Sequence, residues 1–467
     1  MTSRCPTPKT GAAATIAAAG LHRRTILQSA LYGSAALAVG LRAPAVLGQA
    51  KPFAGVTLQG ASFASTFFGY LENYIPEFEE ATGMKVNFVT NAFPVFNQRT
   101  DLELSTQGSA LDVINVTFIY SGRWIGAGWV ENLRPYLEDA NLTPDDWAPE
   151  DFVGGTMASL QDANGDPYGF PWEAGAMIMG AARGDLLEQK GLGMPTTFDE
   201  LLNVCEMTKG MERVAPFTAD KLHHWNWIPY LMGFGGHVFK DPPGNLTPTW
   251  DTPEAAEAAD YYGNLLSTYG PSGVLSFTDD QAMQSQKTGR ANIRTQAITW
   301  MVPLSKDPDS RVADTVRYGL VPAGPAGAFP GSNSHGFGIP VGSKNKEAAW
   351  EFIKWAVGKQ MTLRMLEEHG YPSICRRSII DTELFKETLT LNGQDVASLF
   401  LEVLELGGKG GYMKYRTVPQ FPQVGDKINK AIEEVATGQA TGAEAMAVAQ
   451  AAAVSDLERS GVEIDAG

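Results

Sequence analysis

The chain has 467 residues with 44% hydrophobic and 10% aromatic content, 50 Gly and 28 Pro, a balance that suits a folded globular protein and excludes disordered, collagen-like and coiled-coil chains. Lys+Arg 36 against Asp+Glu 52 leaves a formal charge of -16, so no nucleic acid and no anionic membrane surface is expected as a partner, because phosphates require clustered cations. Three Cys without a CxxC pair exclude a disulfide scaffold or a zinc knuckle.

Residues 1–50 carry Arg4, Lys9, Arg23, Arg24 and Arg42 and no acid, so removing those five charges from -16 leaves -21 on the other 417 residues. Arg23-Arg24 precedes a mildly apolar stretch from Ile26 to Leu41, followed by the small residues Gly48 and Ala50. That stretch is short of the ~20 apolar residues an anchor needs, and reads as a cleaved signal peptide over 1–50 of the twin-arginine type. The expected location is the periplasm, with Cys205 and Cys375 as the only thiols of the mature chain. No later segment reaches ~18 uncharged apolar residues, so no membrane span is expected.

From Val56 to Leu58 the pattern is a strand, and Phe67, Leu71, Tyr74, Ile75 and Phe78 fall at helical spacing before Gly83, with Pro76 expected to kink or restart the helix. Met84, Val86 and Phe88 alternate as a second strand, and Leu111 to Val116 is a short buried one. This β-α-β order predicts an α/β layer fold with a mainly parallel sheet. Thr197-x-x-Glu200 predicts a capped helix over 199–209. Proline and glycine between Pro322 and Gly331 mark a crossing segment, and helices follow at 349–356, 424–435 and, Ala-rich, 443–454.

Several blocks in order resemble the family 1 extracellular solute-binding proteins of ABC importers, the group that includes maltose-binding protein. They are Phe78-Glu79-Glu80-Ala81-Thr82-Gly83-Met84-Lys85-Val86, Ala127-Gly128-Trp129-Val130-Glu131-Asn132-Leu133, Asp166-Pro167-Tyr168-Gly169-Phe170-Pro171, Pro195 to Leu201, and Gly342 to Phe352. The resemblance implies a periplasmic-binding-protein fold, two discontinuous α/β lobes joined by a hinge with a ligand cleft between them. The boundaries it suggests are 51–174 plus 326–375 for the N-terminal lobe and 175–325 plus 376–467 for the C-terminal lobe. It implies a periplasmic receptor that binds a carbohydrate or polyol and delivers it to ABC importer permease subunits, acting as a monomer and not as an enzyme. Ser334-His335-Gly336 stands where the family usually has two glycines, which sets a side chain against the expected cleft.

A sugar offers apolar C–H faces to aromatic planes and a belt of hydroxyls to planar polar groups. Trp172 and Glu173, after the hinge strand, supply both types, the other reading being interlobe packing and a solvated acid. One of Trp225 and Trp227 lines the cleft, or both are core. Trp300 holds the position of a family tryptophan that commonly stacks on ligand, whereas Trp350 and Trp355 fit a core helix. Ser62, Thr117 and Tyr120 come from early loops, Asn333 and His335 lie between the proline-glycine stretch and a strand from Phe337, and Arg376 or Arg377, after a third crossing, offers a guanidinium to an anionic or hydroxylated group or is a surface arginine. Catalytic and phosphate-binding motifs are missing, no cofactor or metal is expected, and the pairs Asp145-Asp146 and Asp279-Asp280 read as surface charge. The alternatives to a sugar or polyol receptor are a receptor for an anionic or phosphorylated polyol, and a secreted glycan-processing enzyme.

Overall fold

The computed structural model describes residues 51–465 apart from Pro52 and Thr417, so the expected signal peptide lies outside the described residues. Nine strands build two sheets: β1 Thr57–Phe63, β2 Lys85–Asn91, β3 Val113–Val116, β4 Phe170–Pro171, β5 Met177–Ala181, β6 Ala215–Phe217, β7 Ala291–Ala297, β8 Arg317–Gly319 and β9 Gly336–Gly338. The first sheet runs β2-β1-β3-β9-β4 and the second β8-β5-β7-β6. Pairs β1–β2, β1–β3 and β6–β7 are parallel, while β3–β9, β4–β9, β5–β8 and β5–β7 are antiparallel. The sheets are therefore mixed rather than mainly parallel. A βαβ return keeps strand direction, but β5 and β9 are reached by direct crossings between the sheets and enter opposed to their neighbours.

Local signals act as their chemistry requires. The first helical run divides at Pro76, which sits in the first turn of helix Ile75–Thr82, and Gly83 closes that helix at φ 80, a conformation that favours glycine. Thr197 Oγ1 accepts from Glu200 N–H to start helix Phe198–Thr208. Glu200 reaches back one residue further than a reciprocal cap, accepting from Thr196 N–H and its hydroxyl at 2.7 Å each. Helices Lys346–Ala356, Phe421–Ala436 and Gly442–Arg459 cover the expected later runs.

One hydrophobic core packs Leu58, Phe67, Phe68, Trp350 and Phe352 on the first sheet, and a second packs Trp227, Trp250, Tyr262, Ile428 and Met446 on the other. Apolar residues of 379–404, among them Phe385, Phe400 and Leu404, join the first core, and those of 412–457 the second. The first core also takes in Ile178, Met301 and Tyr318 of the second sheet and its flank, so the segment from 376 onward packs where the two lobes adjoin. Its helix Val396–Lys409 lays an apolar stripe against helix Gly154–Met157 and β5 before the chain reaches the second core.

Three crossings join the lobes side by side. Trp172 N–H donates to His335 O at 3.0 Å, Gly175 N–H to Asn333 O at 2.8 Å and Met177 N–H to Gly331 O at 2.8 Å. Ser373 Oγ accepts from Ala174 N–H and donates to Ala174 O, which ties in the third. Among the described residues no helix is long and apolar enough to cross a membrane.

Candidate functional site

The ends of β1 and β3 meet the crossings where polar side chains are buried, and buried polar groups require partners. Asn115 links two of them, donating from Nδ2 to Ser62 Oγ at 2.5 Å and accepting at Oδ1 from Trp172 Nε1 at 2.6 Å. Thr117 Oγ1 donates to Asn97 Oδ1 at 2.7 Å. These bonds fix the indole of Trp172, which stacks on Phe67 at 4.9 Å and 16°.

His335 sits inside an aromatic nest, with centroids of Phe63 at 4.7 Å, Phe118 at 5.0 Å, Phe93 at 5.6 Å and Trp172 at 5.7 Å. Burial there pushes its pKa down to about 3, so the imidazole is neutral. Glu173 Oε1 accepts from Thr299 Oγ1 at 3.1 Å, which connects the crossing to the segment after β7. Its Oε2 lies 3.7 Å from His335 Nε2, too far for a hydrogen bond, and burial pushes the carboxyl up to about 7. His335 Nδ1 and Asn333 Oδ1 are buried without a protein partner. Asn333 fits because residue 175 is glycine, where a Cβ would lie 1.5 Å from Asn333 Oδ1.

From the second lobe, β7 presents Arg294 and Gln296 on one face by strand alternation, beside Asp220 after β6. Arg294 Nη2 donates to Asp220 Oδ2 at 2.8 Å and to Asp279 Oδ1 at 2.5 Å, and Gln296 Nε2 to the same two oxygens at 2.9 Å each. Burial works against ionisation of Asp220, but Arg294 and the Leu222 N–H hold its carboxyl below the usual range. Burial and the charge of Asp220 push Asp279 up to about 7, with Arg294 opposing. Gln296 Oε1 accepts from Trp225 Nε1 at 2.9 Å, which aims the Trp225 ring toward Phe118, 5.4 Å away. The guanidinium of Arg416 lies over Trp225 at 4.7 Å and Phe118 at 4.9 Å.

The structure thus gathers Ser62, Trp172, Glu173, Trp225, Asn333 and His335 where the lobes meet, with Thr117 at the end of β3. Tyr120 is half-buried and packs against both cores, and Trp300 is half-buried beside Thr299. Two candidates lie elsewhere. Trp227 is fully buried in the second core, which Trp225 also joins, and the two indoles point to opposite sides of the helix. Arg376 is fully buried and donates to Val357 O, Trp147 O and Ala148 O, with its guanidinium 4.1 Å over Phe152. These carbonyls, Asp151 Oδ2 at 3.4 Å and the aromatic face hold it, leaving only Nη2 without a protein partner, so it staples the 147–151 loop to the third crossing. Arg377 is half exposed beside Asp381. Asp279 is drawn into the Arg294 network rather than left as surface charge, while Asp280 is exposed.

Sequence reasoning missed Asn115, Phe118, Asp220, Arg294, Gln296 and Arg416. A signal for two of them existed: Asn292, Arg294 and Gln296 alternate inside a strand whose seven residues are all buried. A surface hollow of about 670 Å³ between 266–276 and 430–439 touches none of these side chains.

Residues 64–362 match the family described as bacterial extracellular solute-binding protein. A mannitol-binding protein of Pseudomonas aeruginosa is 24% identical over 389 residues, 79% of this chain and 85% of the relative. An erythritol/L-threitol-binding protein of Mycolicibacterium smegmatis is 24% identical over 334 residues, 67% of this chain and 69% of that one. An ABC transporter solute-binding protein of Agrobacterium radiobacter K84, solved in complex with ribitol, has the same fold at TM-score 0.76 and 24% identity, covering 86% of this chain and 99% of its own.

Proposed function

Because the chain belongs to the bacterial extracellular solute-binding protein family, we propose that it is the receptor of an ABC importer for an uncharged polyol or small carbohydrate, closing its two lobes on the ligand. The observation that carries this reading is the pairing of aromatic faces with partnerless buried polar atoms. Trp172, Trp225 and Phe118 offer surfaces to C–H groups, while His335 Nδ1 and Asn333 Oδ1 offer hydrogen bonds to hydroxyls. Glu173 and Asp279, both raised to about 7, and neutral His335 suit a hydroxyl, which donates and accepts, better than an anion. Arg376, on which the anionic-polyol reading drew, is committed to backbone carbonyls and Asp151, and the guanidinium over Trp225 and Phe118 is that of Arg416, which donates to Tyr415 Oη and His224 O. The mannitol, erythritol and ribitol ligands of the relatives point the same way.

The family places the protein outside the cytoplasm, as a secreted or periplasmic protein. We assign it to the periplasm, exported by the Arg23-Arg24 signal, as a monomer without catalytic activity that docks on permease subunits. The lobes are taken as 51–174 with 326–375, and 175–325 with 376–467. Isothermal calorimetry of residues 51–467 against ribitol, D-mannitol, erythritol and maltose tests the reading, with mass spectrometry of the recovered ligand. One-to-one binding of an unaltered polyol or sugar is expected. Binding of none of them refutes the ligand class, and a chemically altered ligand refutes the non-catalytic assignment.

A further inference from the structure

We infer that Asp279 is a specificity-determining residue that grips hydroxyl groups of the ligand from the second lobe, held in place by Arg294, Gln296 and Asp220 as positioning residues. The inference rests on the polyol or sugar reading above and adds the side chain that reads the hydroxyls.

Asp279 is not needed where it stands for helix structure. Helix Asp279–Lys287 is capped by Thr278 and Gln281 in a reciprocal box, Thr278 Oγ1 accepting from Gln281 N–H and Gln281 Oε1 from Thr278 N–H. The carboxylate instead turns toward β7, and both bonds it receives there, from Arg294 Nη2 and Gln296 Nε2, fall on Oδ1. The side chain keeps 23% of its surface accessible, whereas those of Arg294 and Asp220 keep 0% and 1%. Asp279 is thus the one member of this set that a ligand can reach.

The surroundings leave hydrogen-bonding capacity unused. Arg294 is fully buried and keeps two N–H nitrogens, Nε and Nη1, without a protein partner. One guanidinium faces two carboxyls, so the set is neutral when Asp279 carries a proton and acquires a negative charge when it does not. With Oδ1 of Asp279 taken by Arg294 and Gln296, Oδ2 is the oxygen left for a ligand hydroxyl, accepting from it when ionised and donating to it when protonated. Gln296 holds Asp279 with its amide nitrogen and the Trp225 indole with its amide oxygen, so the polar grip and the aromatic face are spaced by a single side chain.

The experiment measures affinity for ribitol, D-mannitol, erythritol and maltose in wild type, Asp279→Ala and Asp280→Ala, together with the melting temperature of each without ligand. Asp279→Ala should bind whichever of these the wild type binds at least tenfold more weakly, with the ligand-free melting temperature within a few degrees of wild type. Asp280→Ala, the exposed neighbour, should bind as wild type does. An affinity for Asp279→Ala within threefold of wild type overturns the inference and leaves the polyol or sugar reading standing. Wild type that binds none of the four overturns that reading and this inference with it. If Asp279→Ala loses its fold, Asp279→Ser, which keeps a small polar residue at the helix start, is measured against the same limits.

Discussion

Replacing Glu173 by Gln should stabilise the protein in a pH-dependent way. Glu173 is 13% exposed, and burial raises its carboxyl from 4.5 to about 7. Because the folded-state value lies above the unfolded one, the ionised form is disfavoured by folding. Below pH 4.5 the group is protonated in both states and nothing is lost; from about 4.5 to 7 stability falls by about 1.4 kcal/mol per pH unit; above 7 the loss is complete at about 3 kcal/mol. Gln keeps the shape and the acceptor for Thr299 Oγ1 but carries no charge. Urea denaturation followed by tryptophan fluorescence at pH 4.5, 6 and 8 should give equal stabilities at the lowest pH, with Glu173→Gln ahead by about 3 kcal/mol at the highest. A difference that does not grow with pH, or a variant less stable at pH 8, would show that Glu173 is ionised and paired in the fold, and the neutral-site argument would fall with it.

Trp300→Ala should weaken ligand binding by about tenfold to a hundredfold in Kd, the loss of an apolar platform worth about 1 to 3 kcal/mol, measured by calorimetry with the circular dichroism spectrum unchanged. Trp350→Ala, which empties a fully buried site and removes the indole donor to Thr143 Oγ1, should instead lower stability by about 3 to 5 kcal/mol and leave Kd unchanged in the folded fraction. Arg376→Ala removes a donor from three backbone carbonyls and the cation beside Asp151, so denaturation should show a loss of about 3 to 5 kcal/mol, and a selective loss of affinity without destabilisation would return Arg376 to the cleft. Replacing Arg23-Arg24 by Lys-Lys should stop the protein from reaching the periplasm, and normal export in cell fractionation would refute the twin-arginine signal.

What the sequence determines here is local. Gly83 at a helix end, Pro76 in a first turn and Thr197 ahead of Glu200 act within one turn of chain, and each produces the boundary its chemistry calls for. The ordered blocks from Phe78 to Phe352 carry the family and through it the two-lobed fold, and Trp172, Glu173 and His335 were legible as aromatic and polar groups beside a crossing. The tertiary structure decided which distant groups meet. Arg294 finds Asp220 across 74 positions and Gln296 finds Trp225 across 71, contacts set by the pairing of β6 with β7 and invisible to any local period. It also separated neighbours that the sequence leaves equivalent. Trp225 and Trp227 differ by about 200° around a helix, so within the same core one meets Gln296 and Phe118 while the other is fully enclosed. Arg376 could face solvent or a ligand by its residue type, and three backbone carbonyls, supplied by segments 19 to 229 positions away, fix it as a structural cation.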